Sequence, residues 1–360
     1  MAIGAVQIRY NSLQAIRAVA ACAVLFHNAN YLEHELTGRN NHLLLGAGLG
    51  EVGVDLFFVL SGFLMVRTTR STRSGLDAMR RFLVARLVRI YPAYWVVAAI
   101  WAVLLALWPE LGLGRVMADF WSSILLLPNA NQPQLAPGWS LVFELYFYLI
   151  FGLMLLAPKT LRAWGLAVWA GLLLLTAALH FRGEGVLSHF LTNSLSLEFL
   201  MGAAAGYVID KPIARPALLL AAGCLVLPLG EFLRFHLAAG SANVEMVRVL
   251  QVGVPAVAIV LGMVGLESQG RITTPRWLTS LGERSYGVYL THVPVASLMV
   301  LTVGMAGFNR GVLADAFYVA STLVLSLLLA EALHQAVERP TMALSHALRT
   351  RGAAVLRPAP

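Results

Sequence analysis

Charge is what this chain lacks. Asp, Glu, Lys and Arg make up 12% of its 360 residues, about half the ~25% of an average soluble domain. Hydrophobic residues make up 59%, and mean hydropathy is +0.74. Together these exclude a soluble enzyme. Cysteine is also scarce. Cys22 and Cys224 are the two present, both inside apolar runs. Their spacing fits neither a metal site nor a redox pair, and two buried thiols make no disulfide framework. No metal centre is expected. No G-x-S-x-G surrounds Ser61, so a nucleophile elbow is missing. The alternating ten-residue segments of an outer-membrane barrel are absent, as is the inverted repeat of a duplicated transporter. No cleavable leader is expected, because the first apolar segment carries Arg17 and His27 and reads as retained.

What the chain has is long apolar runs. In lipid every backbone polar group must bond internally, so these runs should be helices. The sequence predicts an all-α polytopic membrane protein of about ten transmembrane helices. They fall near 14–31, 48–66, 90–108, 137–157, 161–180, 187–209, 215–233, 246–266, 286–307 and 312–334. Residues 1–340 form the membrane domain, and 341–360 a tail that frays. The 109–136 connection contains MADFWSSILLLP, too short to span, which reads as an interfacial or re-entrant helix.

The net charge of +8 does not indicate nucleic acid, because the basic residues gather in alternate connections. With both termini inside, twenty of the 26 fall on inner segments, seven of them between Arg67 and Arg89. Arg39, Arg115, Arg182, Arg234, Arg248 and Arg310 remain outside. The positive-inside rule then predicts cytoplasmic termini.

The polar residues inside the spans are the candidates for function. The first helix reads IRAVAACAVLFHN, with Arg17 and His27 separated by ~15 Å of helical rise. That is about half of a ~30 Å hydrocarbon core. A histidine at such depth either bonds a neighbouring helix or does chemistry. The second span, LGEVGVDLFFVLSGFLMV, carries Asp55 roughly 10 Å from its outer end. Asp55 either pairs with an interior donor or serves a site. Its glycines at 48, 50, 53 and 62 allow close helix approach, and Ser61-Gly62 reads as a packing notch. Arg86 and Arg89 lie three residues apart in RFLVARLVRIYPAYW, on one helical face, where two guanidiniums make a fork for phosphate. Their alternative is attraction to anionic lipid. In PGWSLVFELYFYLIFG, Glu144 lies below Trp139 and an aromatic belt. Tyr286 and His292 follow in LGERSYGVYLTHVPV, and Glu331, His334 and Glu338 sit near the inner boundary, where a structural role is expected.

These stretches resemble the acyltransferase-3 family of integral membrane acyltransferases. The matches are IRAVAACAVLFHN, GVDLFFVLSGFLM, RFLVARLVRIYPAYW, PGWSLVFELYFYLIF, LGERSYGVYLTHVPV and the late ERP at 338–340. They occur in family order from about residue 14 to 340, similar to exopolysaccharide O-acetyltransferases without an SGNH domain. The resemblance implies transfer of an acyl group, usually acetyl, from cytoplasmic acyl-CoA. The acceptor would be a hydroxyl of a polysaccharide or lipid-linked glycan outside the bacterial inner membrane. Acyl-CoA would be a co-substrate, with no permanently bound cofactor; the other partners would be the glycan and membrane lipid. By motif, His27 takes the essential histidine's place, Arg17 the basic position before it, and Arg86 and Arg89 the R-x-x-R pair. Glu144 falls in the motif after the WS pair. Nine residues separate Arg17 from His27 where the family leads one to expect about ten, and one residue turns a helix by ~100°.

The mechanism so implied has His27 as general base or acyl relay, oriented by Glu144 or Asp55. Arg17, Arg86 and Arg89 would hold the acyl-CoA, while Ser61, Trp139, Tyr286 and His292 would line the site. The alternative is a transporter or flippase of glycans or acyl groups. Acceptor, acyl chain and oligomeric state are not legible in the sequence.

Overall fold

The computed structural model describes residues 10–38, 50–112, 117–181, 184–237, 244–305 and 311–344. Arg9, Arg39, Arg115, Arg182, Arg310, Arg349, Arg351 and Arg357, which enter the charge count, lie outside these, as does the tail beyond 344. The described residues form helices and no strand. In chain order they are α1 (Asn11–Thr37), α2 (Glu51–Thr69), α3 (Leu76–Leu107), α4 (Phe120–Leu125), α5 (Gly138–Met154), α6 (Lys159–Ala178) and α7 (Val186–Leu191). There follow α8 (Ser196–Val208), α9 (Pro216–Leu237), α10 (Val244–Arg248), α11 (Val254–Ser268), α12 (Arg276–Glu283), α13 (Ser285–Met305) and α14 (Val312–Leu333). π-helical turns occupy Val249–Gly253 and His334–Glu338.

Helix lies at each of the ten expected positions. Among the described residues, however, five segments are long and apolar enough to cross a membrane: Glu51–Thr69, Leu76–Leu107, Lys159–Ala178, Glu245–Ser268 and Val312–Leu344. The expected span at 187–209 is broken between Leu191 and Ser196, which leaves α8 with 13 residues, about 20 Å of rise. The basic stretch 67–89 is not a loop either. Its second half is the first turns of a 32-residue α3, where arginines alternate with apolar residues and one face is buried. α6 leaves Trp164, Val168, Leu172 and Leu175 exposed, an apolar stripe suited to lipid.

The chain forms two compact units. Unit 1 comprises residues 1–24, 48–72 and 163–285. Its centre is the contact of α2 with α8. A Cβ on Gly62 would collide with the backbone of Phe199 and Ala203, and one on Gly202 with the backbone of Val59. Only glycine lets the two helices approach this closely. Phe58 and Phe199 stack beside them, centroids 4.3 Å apart. Glu267 at the end of α11 caps α1, accepting the backbone N–H groups of Asn11 and Ser12 at 2.9 Å each. These donors have no partner inside their own helix.

Unit 2 comprises 25–47, 73–162 and 286–360. The second half of α1 packs Ala29 and Leu32 against Val293, Ala296 and Val300 of α13 and Tyr318 of α14. The Tyr318 hydroxyl donates to the Ala29 carbonyl at 2.8 Å. The segment from Met117 to Pro137 is tied to α3 by four aromatic donors. Tyr91, Tyr94, Trp95 and Trp101 donate to the carbonyls of Leu125, Ser123, Ile124 and Gln134 at 2.7–2.9 Å. Protein donors thus satisfy these carbonyls outside any regular ladder. Asp119 caps α4 through the backbone N–H and hydroxyl of Ser122, and those bonds hold its carboxyl below the ordinary value of 3.8.

Candidate active site

The candidate residues divide between the units. Unit 2 holds His27, Arg86, Arg89, Trp139, Glu144, Tyr286 and His292; unit 1 holds Arg17, Asp55 and Ser61.

In unit 2 the assembly starts on α3. The Arg86 guanidinium lies 5.4 Å from the Phe82 ring centroid and 5.6 Å from that of Tyr148. Aromatic faces attract the cation and fix its plane. Arg89 follows nearly one turn on, half-buried like Arg86. α5 contributes Glu144 and Tyr148, four residues apart on one face. The Tyr148 hydroxyl donates to Glu144 Oε1. Tyr148 thus presents its ring to Arg86 and its hydroxyl to Glu144, and Arg89 lies within electrostatic reach of the same hydroxyl. Trp139, two turns before, meets Phe143 edge to face at 6.2 Å.

α13 closes the arrangement. Tyr286 donates to the Ile90 carbonyl of α3 at 2.8 Å, and Glu144, Glu338 and Arg89 lie within electrostatic reach of its hydroxyl. Glu338 comes from the π-helical turn after α14, where its Oε2 lies 2.8 Å from His334 Nδ1. Further along α13, Tyr289 and Ser140 of α5 share a 2.6 Å hydroxyl contact, and Tyr289 also donates to the Pro137 carbonyl at 3.2 Å. His292 is 1% exposed, and its Nδ1 lies 2.6 Å from the Tyr289 carbonyl. His27, half-buried in α1, is near enough for its charge to act on His292.

Unit 1 presents a different set. Arg17 Nε donates to Ser285 Oγ at 3.1 Å. Asp55 is fully buried. Its two oxygens accept from Arg248 Nε at 2.8 Å and Nη2 at 3.0 Å, a bidentate pair. Arg248 Nη1 reaches Glu51 at 3.2 Å as well. Glu198, also fully buried, stands within electrostatic reach of Asp55 and Arg248. Asp55, expected as a possible partner of His27, is therefore engaged by Arg248. The Arg248 side chain is 13% exposed, so this basic residue, counted among the outer segments, is paired inside the protein. Ser61 stands half-buried beside the Gly62 packing notch.

Three participants escaped the sequence reading. The i, i+4 spacing of Glu144 and Tyr148 was the signal for the first. Glu338 lies in the ERP stretch, but only the fold sets it near Tyr286. Arg248 had no local signal, because its partner is 193 residues away.

Chemically, unit 2 offers paired guanidiniums for an anion, a carboxylate held by a phenol and two neighbouring imidazoles. Such a set suits proton transfer beside a phosphate-bearing substrate. A family model described as "Acyltransferase domain" matches residues 10–331. The exopolysaccharide production protein ExoZ of Rhizobium meliloti is 29% identical over 349 residues, covering 91% of this chain and 96% of that protein. The acyltransferase MdmB of Streptomyces mycarofaciens is 28% identical, covering 94% of this chain and 92% of its own. The peptidoglycan O-acetyltransferase OatA of Listeria monocytogenes is 26% identical, covering 88% of this chain but 53% of that longer protein. No solved structure matches the chain.

Proposed function

Since the chain belongs to the acyltransferase-3 family, we propose that it moves an acyl group, acetyl foremost, from cytoplasmic acyl-CoA to a hydroxyl of an exported or cell-surface polysaccharide or lipid-linked glycan. It would do so in the bacterial inner membrane with both termini cytoplasmic. His27 removes the acceptor's hydroxyl proton. The alkoxide oxygen attacks the thioester carbonyl, a C–O bond forms, the C–S bond breaks, and the CoA thiolate leaves and takes up a proton. Relay through an acyl-histidine would split the same balance into two steps. Arg86 and Arg89 hold the phosphates of CoA. Of the two carboxylates considered for orienting the His27 imidazole, Glu144 is the better candidate, because Arg248 already engages Asp55. Trp139 and Tyr286 line the site, and Ser61 serves packing.

The observation that carries this reading is the gathering in one unit of His27, His292, Glu144 and the Arg86–Arg89 fork. It is tested in membrane vesicles bearing the full chain, with radiolabelled acetyl-CoA and the endogenous glycan pool. His27→Ala should cut transfer by at least ~100-fold at unchanged protein abundance, the scale of a lost general base. Full glycan acylation by this variant would overturn the reading.

A further inference from the structure

His292 is a buried ring in unit 2 with only one of its two nitrogens engaged. Its Nδ1 lies 2.6 Å from the Tyr289 carbonyl oxygen. A carbonyl only accepts, so Nδ1 carries the hydrogen and donates it. In the neutral ring Nε2 is then a bare lone pair, able only to accept. That atom is buried and meets no donor within the protein. A protonated ring would instead bury an N–H with no acceptor, which is costlier still. Buried polar atoms are nearly always satisfied, and one left open calls for an explanation.

The lone pair sits in an ordered surround. Tyr289, whose carbonyl fixes the ring, is itself held through its hydroxyl by Ser140 and the Pro137 carbonyl. The tautomer of His292 is thereby tied to the start of α5, the element that carries Glu144 six residues after Gly138. His27 is the titratable side chain whose charge acts on His292. A group that reached Nε2 would have to bring a hydrogen-bond donor.

The two substrates of the proposed reaction differ in this respect. The reacting end of an acyl-CoA presents a carbonyl oxygen and a sulfur, both acceptors. The second substrate brings the hydroxyls of a sugar, the reacting one and its neighbours, and each is a donor. The geometry points to His292 as a substrate-positioning residue whose Nε2 accepts a hydrogen bond from a sugar hydroxyl neighbouring the reacting one, while His27 takes the reacting hydroxyl's own proton. This rests on the acyl-transfer reading above. It differs from a charged base: His292 orients the acceptor by lone pair alone, and the proton goes to His27.

Two variants separate this role from a structural one. His292→Asn keeps an amide donor where Nδ1 meets the Tyr289 carbonyl but removes the acceptor at Nε2. His292→Gln places an amide oxygen near the Nε2 position. Both are assayed in vesicles with the full chain, varying acetyl-CoA over the endogenous glycan pool. The Asn variant should lose ~10–100-fold in rate at saturating acetyl-CoA, the scale of a lost positioning contact, with the acetyl-CoA KM within about two-fold. The Gln variant should recover part of that rate. Full rate in the Asn variant would overturn the role, as would a loss confined to acetyl-CoA KM or equal losses in both variants. Failure of the underlying reading looks different: transfer then survives His27→Ala, whatever the His292 variants do.

Discussion

In unit 1 several charged groups are engaged by charged or backbone partners. Asp55 and Arg248 form a two-point pair, Glu267 closes the start of α1, and Arg67 and Arg70 both reach Asp210. In unit 2 aromatic side chains and backbone carbonyls take a larger part, beside the contact of Glu338 with His334. Arg86 lies between two rings, Glu144 takes a phenol hydroxyl, Tyr286 is tied to a carbonyl, and His292 keeps one ring nitrogen without a donor. On the acyl-transfer reading proposed above, the first set fastens helices and the second is oriented for use.

Breaking the first kind should cost stability without touching kinetics. Arg248→Met leaves Asp55 buried and unpaired, a loss of about 3–5 kcal/mol. We expect a sharp fall in membrane abundance and thermal stability, much of it recovered in the Asp55→Leu/Arg248→Met double variant. If the double variant were as unstable as the single, the pair would not be what fastens α2 to α10. Breaking the second kind should do the opposite. Arg89→Ala should raise the acetyl-CoA KM by ~10–100-fold, as expected for about 1.5–3 kcal/mol of charged hydrogen bonding, because phosphate contacts are mostly uniform binding. A stability loss with unchanged KM would move Arg89 into the fastening class. Tyr148→Phe removes the hydroxyl from Glu144, about 0.5–1.5 kcal/mol, and should lower the rate up to ~10-fold while leaving the Arg86 stacking intact.

Two smaller effects sharpen the boundary. Glu267→Ala should cost ~1 kcal/mol of stability, a typical helix-cap loss, with kcat and KM unchanged. The α4 cap gives a pH test. The folded-state pKa of Asp119 lies below its ordinary 3.8, so its contribution is complete above that value and disappears as pH falls through the lowered one. The fluorescence of exposed Trp121 should therefore hold steady down to about pH 4 and change below it, and Asp119→Ala should abolish that transition.

Much of this arrangement was legible in the sequence. The helices follow hydropathy, which is local. The grouping of His27, Arg86, Arg89, Glu144, Tyr286 and His292 in one unit was foreshadowed by stretches that hold a charge inside an apolar run. What stayed hidden was pairing at long separation. Glu144 had Tyr148 one helical turn away as a local sign of its partner, whereas Asp55 and Arg248 meet across 193 residues and neither neighbourhood announces the other. The break between α7 and α8 was also missed. Its Thr-Asn-Ser run is a turn signal, but averaged hydropathy conceals three polar residues among leucines.

The cap at the start of α1 has a consequence in time. Ser12 and Glu267 are 255 residues apart. A ribosome adding ~5–20 residues per second delivers the carboxylate roughly 13–50 s after the helix it closes. For that interval α1 waits with its first turn open. The helix bearing the proposed base is thus among the first made and among the last to be finished.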